Sequence, residues 1–207
     1  SYDEMLELSS MGAKVLEIRS VGFARRYSVP LVVRSSFSDE PGTLVTVEDE
    51  EMEIVPVSGV ALSRNDARVT ITRVPDRPGV ALHLFQPVAD ANIVVDMIIQ
   101  NTSIDGHTDL TFTVPKGDLK KTLAIVKPVA ADIGAERVLS EENIAKISIV
   151  GVGMKSHTGV AGKMFETLAR EGVNIDMIST SEIKISVVVD LAKAEQAMKA
   201  VHAAFLG

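Results

Sequence analysis

Two hydrophobic periods take turns along most of this chain. Val69, Thr70 and Ile71 alternate as a half-buried strand does. Val80, Leu84, Phe85 and Val88 then fall at i, i+4, i+5 and i+8, one face of a helix. NIVVDMIIQN, at 92–101, reads as a second strand, and TDLTFTV, at 108–114, alternates through Leu110, Phe112 and Val114. SIDGHT between them holds an Asp-Gly turn, so the two strands form a hairpin, ended by Pro115 and Gly117. Leu119, Leu123, Val126, Ala130 and Ile133 stripe another helix, and AERVLS closes as a strand. The order β-α-β-β-α-β in about seventy residues is that of a ferredoxin-like split βαβ module.

The same grammar restarts at Lys146. KISIVGVG is a strand; Val160, Met164, Phe165 and Leu168 repeat the helical face; Gly172 sits where a C-terminal cap belongs. VNIDMIST and EIKISVVVD are the next strands, and Ala194, Met198, Val201 and Phe205 stripe the last helix. Aligned without gaps, 79–98 and 159–178 share eight of twenty residues. Chance would give roughly one or two, so a duplicated module is the economical reading. The second copy lacks a fourth strand, and the unassigned VSGVALS at 57–63 is expected to supply it. The fold class is α+β: two ferredoxin-like modules, the first inserted into the second.

The first third is patterned differently. Residues 2–27 are helical, with Val15, Ile18 and Phe23 near helical spacing and a break at Gly12. VPLVVRSS, with Pro30 near its start, reads as a strand. These elements are too few to bury each other, so 1–47 reads as the tail of a larger domain or a docking segment, and the abrupt start at Ser1 suggests a piece of one. The acidic stretch from Glu48 to Glu53 makes 48–56 a linker. The first module then covers 64–141, and the second 57–63 with 142–207.

Composition narrows the function. Of 207 residues, 46% are hydrophobic but only 4% aromatic and none is Trp, so the cores are aliphatic. The absence of cysteine removes disulfides and thiol chemistry. A net charge of -7 without a basic cluster argues against nucleic-acid binding. No apolar run reaches the roughly 20 residues of a membrane span. Asp3, Glu4 and Glu7 stand where a signal peptide would be basic, so a cytoplasmic location is expected.

Candidate chemistry collects at the corner written twice, VPDRPGVA and KSHTGVA. A strand-to-helix corner with Gly is most often only a turn. Here it also turns open amides of a helix N-terminus into a loop, which suits an anion. Asp76 stands in the first loop. Asp96 and Asp176 lie about five residues into the next strand, which is expected to neighbour the first. Gln100 and Asn101, and Ser179 to Glu182, cluster where those strands leave. Anion donors beside carboxylates suit a zwitterion such as an α-amino acid; Arg77 and Lys155 are weak candidates for a phosphate. GVGMKSHTG matches neither nucleotide-binding glycine pattern. His83, His107, His157 and His202 share no metal spacing, and Ser156-His157 is too local for a nucleophile and its base.

VPDRPGVA, NIVVDMIIQN, GMKSHTGVAGKMFETL and VNIDMISTSEIKISV resemble the tandem ACT domains of aspartate kinase. Residues 1–38 resemble the end of that family's amino-acid-kinase domain. The resemblance covers nearly the whole chain. It implies a region that binds end-product amino acids, lysine and/or threonine, and feedback-inhibits phosphorylation of aspartate by ATP. It implies effector contacts at Asp76, Arg77, Pro78, Gly79, Val80, Ala81, Val94, Val95, Asp96 and Gln100 of the first module. In the second it implies Val160, Ala161, Asn174, Ile175, Ser181 and Glu182. Effectors in the family sit between ACT domains, commonly the first module of one chain against the second of its partner, so a homodimer or pairing with the full-length kinase subunit is expected. ATP and Mg would belong to the missing catalytic part; no cofactor, metal or catalytic residue is expected here, and the chain alone is expected to be inactive. The rival reading is a ligand-free assembly module that dimerises the kinase.

Overall fold

A computed structural model describes residues 1–101, 103 and 105–207, and the chain divides into two units. Arg64–Ala145 forms an inserted unit; Ser1–Ser63 with Lys146–Gly207 forms a discontinuous one.

The discontinuous unit begins with helix α1 (Tyr2–Ser10), helix α2 (Ile18–Arg26) and a small antiparallel pair, β1 (Leu31–Val33) with β2 (Thr43–Val45). These elements do bury one another, contrary to expectation: Tyr2, Val21, Ala24 and Val45 make a small core. The expected helical stripe is wrong in register. Residues 11–17 separate the helices, and Val15, Ile18 and Phe23 are exposed while Val21 and Ala24 turn inward. The stretch expected as a linker carries a 3-10 helix, Glu50–Ile54, whose start is capped by Asp49 accepting from the Met52 amide at 3.0 Å. Strand β3 (Gly59–Ser63) follows.

The inserted unit runs β4 (Asp66–Pro75), α3 (Val80–Asp90), β5 (Asp96–Gln100), β6 (His107–Pro115), α4 (Leu119–Asp132) and β7 (Arg137–Glu141). Its sheet has the order β5-β6-β4-β7 and is antiparallel throughout. The helical stripes land as their spacing requires: Val80, Leu84 and Val88 of α3, and Leu119, Val126 and Ala130 of α4, share one core with Val69, Ile71, Leu110 and Phe112. Phe85 meets Phe112 edge-on, centroids 5.1 Å apart. Truncating a side chain as buried as Leu84 costs about 2–5 kcal/mol in such cores. The tip of the β5–β6 turn is described at Asp105 and Gly106; residue 104 of the expected turn lies outside the described residues.

The chain returns to the discontinuous unit through β8 (Ile144–Val150), followed by α5 (Val160–Arg170), β9 (Met177–Thr180), β10 (Lys184–Asp190) and α6 (Ala194–Leu206). The sheet order is β3-β8-β10-β9, with Gly59 opposite Val150 and Ser63 opposite Lys146. The first module is thus inserted between β3 and β8 of the second. Every residue of β8 is buried, Lys146 and Ser148 included, so both faces of this strand are covered. Leu8 and Met11 pack with Ala61 and Val150. Gly59 leaves room for this: a Cβ there would stand 3.0 Å from both Leu8 methyls.

Candidate functional site

The two corners have the same backbone and different surroundings. In each, a glycine in the left-handed region caps the helix: Gly79 at φ 91° before α3, and Gly159 at φ 83° before α5. Glycine takes this conformation without the penalty a Cβ brings. Pro78 and Thr158 stand one residue before these caps. At both glycines the Cβ direction is open space, so the helix N-termini are approachable.

A bulge builds the first corner. Between Ile71 and Val74 the pairing of β4 with β6 shifts, and Arg73 takes φ 51°, a costly conformation for any residue with a Cβ. Asp109 holds it by accepting from the Arg73 amide at 2.9 Å, and the Arg73 guanidinium donates to Asp105 at 3.1 Å. That hydrogen bond holds the Asp105 carboxyl below the usual carboxylate range. The Asp76 amide donates to Gly106 at 2.9 Å, so the β5–β6 turn fixes where the loop leaves the sheet. The result is a cavity of about 390 Å³ lined by residues 74–81 together with Gln100 and Leu110. That is ample for a small ligand. The amides of Ala81 and Leu82 belong to the open first turn of α3 and have no intrahelical acceptor. Asp76 and Arg77 are exposed, and among the described residues no side-chain partner engages either. One carboxylate, one guanidinium, one carboxamide and a helix N-terminus thus face one opening.

The second corner is tied down by its own chain. A 3-10 helix, Val152–Lys155, replaces the open loop. The Gly153 carbonyl accepts from the Ser156 amide at 3.2 Å, the His157 amide at 3.1 Å and His157 Nδ1 at 2.8 Å. Gly153 itself presses on the preceding segment: a Cβ there would lie 2.3 Å from the Val55 carbonyl. Lys155 donates to both oxygens of Glu48, at 2.7 and 3.1 Å. This bond raises Lys155 above its ordinary value, with Glu53 and Glu182 adding negative charge. Val160 is buried and Ala161 half-buried in the first turn of α5.

The structure brings Asp76 to Ala81 and Gln100 to the first cavity, and does not bring Val94, Val95 or Asp96 there. The expectation that β5 neighbours β4 is wrong, because β6 lies between them. Both strands pair antiparallel with β6, so their N-terminal ends lie together. Asp96, the first residue of β5 rather than one deep within it, stands opposite Thr113, itself opposite Arg68 at the start of β4. Gln100, four residues on, reaches the corner end, about 13 Å along the strand at roughly 3.3 Å per residue. The same holds in the second copy. Asn174 donates to Asp176 at 3.2 Å just before β9, and Ile175 lies beside them, at the end of the sheet away from the corner. Ser181 and Glu182 lie at the corner end, where the Gly151 amide donates to Ile183 at 3.0 Å. Val74, Pro75 and Leu110 were missed as cavity residues. Leu110 carried a signal, since the alternation of β6 points it to the same face as Phe112.

Among the described residues no group of three or more His, Asp or Glu is placed to hold a metal ion, and no helix is long and apolar enough to cross a membrane.

Two ACT-domain family profiles match this chain, at residues 68–133 and 147–205. The sequence is 54% identical over 207 residues to an aspartokinase of Pseudomonas aeruginosa, covering 99% of this chain and 50% of that protein. It therefore spans about half the length of the curated relatives it matches. Among solved structures, it is similar to the ligand-free regulatory subunit of aspartate kinase from Thermus thermophilus, with 44% identity and a TM-score of 0.69 over 72% of this chain and 99% of that one. It is similar also to aspartokinase III of E. coli in complex with lysine and aspartate, with 27% identity and a TM-score of 0.74 over 100% of this chain and 45% of that one. The chain belongs to the aspartokinase family and corresponds to its regulatory, ACT-domain part.

Proposed function

We propose that the first corner binds an end-product amino acid, threonine and/or lysine, and that binding feedback-inhibits phosphorylation of L-aspartate by ATP in the longer protein. The observation that carries this is the cavity beside Gly79. Amides of the α3 N-terminus and Arg77 suit the ligand carboxylate, Asp76 suits its ammonium, and Gln100 can sort side chains. An ACT module of a partner copy, or of a full-length kinase subunit, would close the opening and supply contacts such as those carried over to Asn174 and Ile175. An amino acid that fits one dimer arrangement better than another shifts their balance, and coupling of roughly 1–3 kcal/mol gives several-fold to hundredfold inhibition. ATP and Mg would act on the part of the relatives this chain does not span. Residues 1–47 would be the end of the amino-acid-kinase domain, in keeping with the exposed Phe23, Tyr27 and Phe37. A cytoplasmic setting belongs to the same reading.

Isothermal calorimetry of the chain against threonine and lysine tests this reading. Saturable heat with one of them, at about tenfold weaker affinity in Asp76→Ala, is the expected result; no heat with any of the twenty amino acids would overturn it. A ligand-free assembly module is the second reading, favoured by the exposed Leu82, Val94 and Ile98 of the inserted unit. It predicts dimers whose thermal stability no amino acid raises.

A further inference from the structure

Glu4 is a buried carboxylate, 5% exposed; among the described residues the other buried charged residue of its unit is Lys146. Nothing in the proposed effector site uses it. One of its oxygens accepts from the main-chain nitrogen of Ser1 at 2.7 Å, closing a capping box at the start of α1. The other accepts from the Ser58 hydroxyl at 2.6 Å and from the Val152 amide at 2.9 Å. Ser58 immediately precedes β3, and its own amide donates to the Val150 carbonyl at 2.8 Å. Val152 opens the 3-10 helix that leads into the second corner. One carboxylate thus joins three pieces of chain: the N-terminal helix, the entrance of β3 and the loop before α5. A cap needs only the first of these bonds. The other two offset part of the cost of burying the charge and have no role in starting a helix.

The rest of α1 is fastened along the same line. Glu7 accepts from Lys184 of β10 at 2.9 Å. Leu8 fills the space above Gly59, and Met11 packs on Ala61 and Val150. These contacts hold α1 on the sheet, but none touches the corner loop. Glu4 alone among them reaches it.

We propose that Glu4 is a positioning residue that clasps α1 to the corner loop of the second module, so that the helix and the loop move as one body. Its significance rests on the regulatory reading above: a rearrangement of the second corner would reach the N-terminal segment through this carboxylate. The direction is reciprocal, as any coupling between two sites must be.

Amide hydrogen exchange followed by NMR on the whole chain tests the clasp without any effector. In Glu4→Ala, exchange at Val152 is expected to rise about tenfold or more, the scale of a lost hydrogen bond to a charged group. Glu4→Asp keeps the charge and the helix-start chemistry but withdraws the carboxylate by one methylene. It is expected to expose Val152 likewise, and it stands in should the alanine variant lose α1. Ser1→Gly removes only the hydroxyl cap and should leave Val152 as it was. From the other side, Ser58→Ala should speed exchange along α1, which a purely local role for Ser58 would not do. Unchanged protection of Val152 in Glu4→Asp with α1 still folded overturns the clasp, as does unchanged exchange in α1 on Ser58→Ala. Calorimetry on the same samples reads amino-acid binding separately, so a failure of the effector site and a failure of the clasp are told apart.

Discussion

The two corners show how one backbone written twice ends in two different surroundings. Gly79 and Gly159 cap their helices with nearly the same φ, 91° and 83°, and nothing crowds either. The difference lies in what precedes them. The first corner leaves its sheet through a bulge fixed by Asp105 and Asp109, and ends with Asp76 and Arg77 exposed at a cavity. The second leaves through a 3-10 turn gathered on one carbonyl and pinned by Glu4 and Glu48. Duplication supplies the open helix start; the loop decides whether it stands at a cavity or is held by the chain itself.

Putting a carboxylate at each cap breaks this comparison most sharply. Gly79→Asp places bulk and negative charge at the helix N-terminus that is to hold a ligand carboxylate. Affinity for the effector should fall by more than about a hundredfold in calorimetry, about 2.8 kcal/mol at 1.4 kcal/mol per decade. Gly159→Asp is the control and should leave that affinity unchanged; equal losses would show that the second corner shares the ligand. The converse contrast concerns stability. Gly153→Ala drives a Cβ to within 2.3 Å of the Val55 carbonyl, an overpacking expected to cost about 1–3 kcal/mol in denaturant unfolding. A backbone that absorbs it at no cost would mean the second corner is not pinned as described.

How much of this could be read from the sequence follows from the range of the forces involved. The inserted module was legible because periodicity is local: Val80, Leu84 and Val88 face the core on spacing alone. The supplementary strand at 57–63 was legible by elimination, since a four-stranded sheet wanted one more member. Asp96 was misplaced because the chain says where strands begin but not which lie side by side. Position at one or the other end of a sheet is a matter of register. The stripe of Val15, Ile18 and Phe23 failed because residues 11–17 interrupt the helix and reset its phase. Glu4 with Val152, 148 residues apart, left no trace, for a single long-range hydrogen bond has no period.

Asp76 measures the part of the asymmetry that belongs to one side chain. The loop equivalent in the second copy is Ser156. Asp76→Ala should weaken effector binding about tenfold, the loss of one charge-assisted hydrogen bond at an exposed site. Unfolding should be unaffected, since among the described residues nothing leans on this carboxylate. Ser156→Asp should not create a second site, because the Gly153 carbonyl still holds that loop shut. Two binding events in the calorimetric trace of Ser156→Asp would show that the side chain, and not the tether, makes the difference.

The smallest effect isolates one tether. Lys155 is bound to Glu48 near the surface, so Lys155→Ala should lower stability at neutral pH by less than about 1 kcal/mol. The pH dependence then separates charge from packing. Glu48 raises the folded-state value of Lys155 above that of the unfolded chain. The stabilisation from this pair is therefore complete below the unfolded value of about 10.4 and is lost as the pH climbs through the folded one. Urea unfolding of the two proteins should differ at neutral pH and converge once the pH exceeds the folded-state value. A gap that persists there would mean the Lys155 chain acts through its methylenes. The second corner would then be closed by packing, with the Glu48 pair incidental to it.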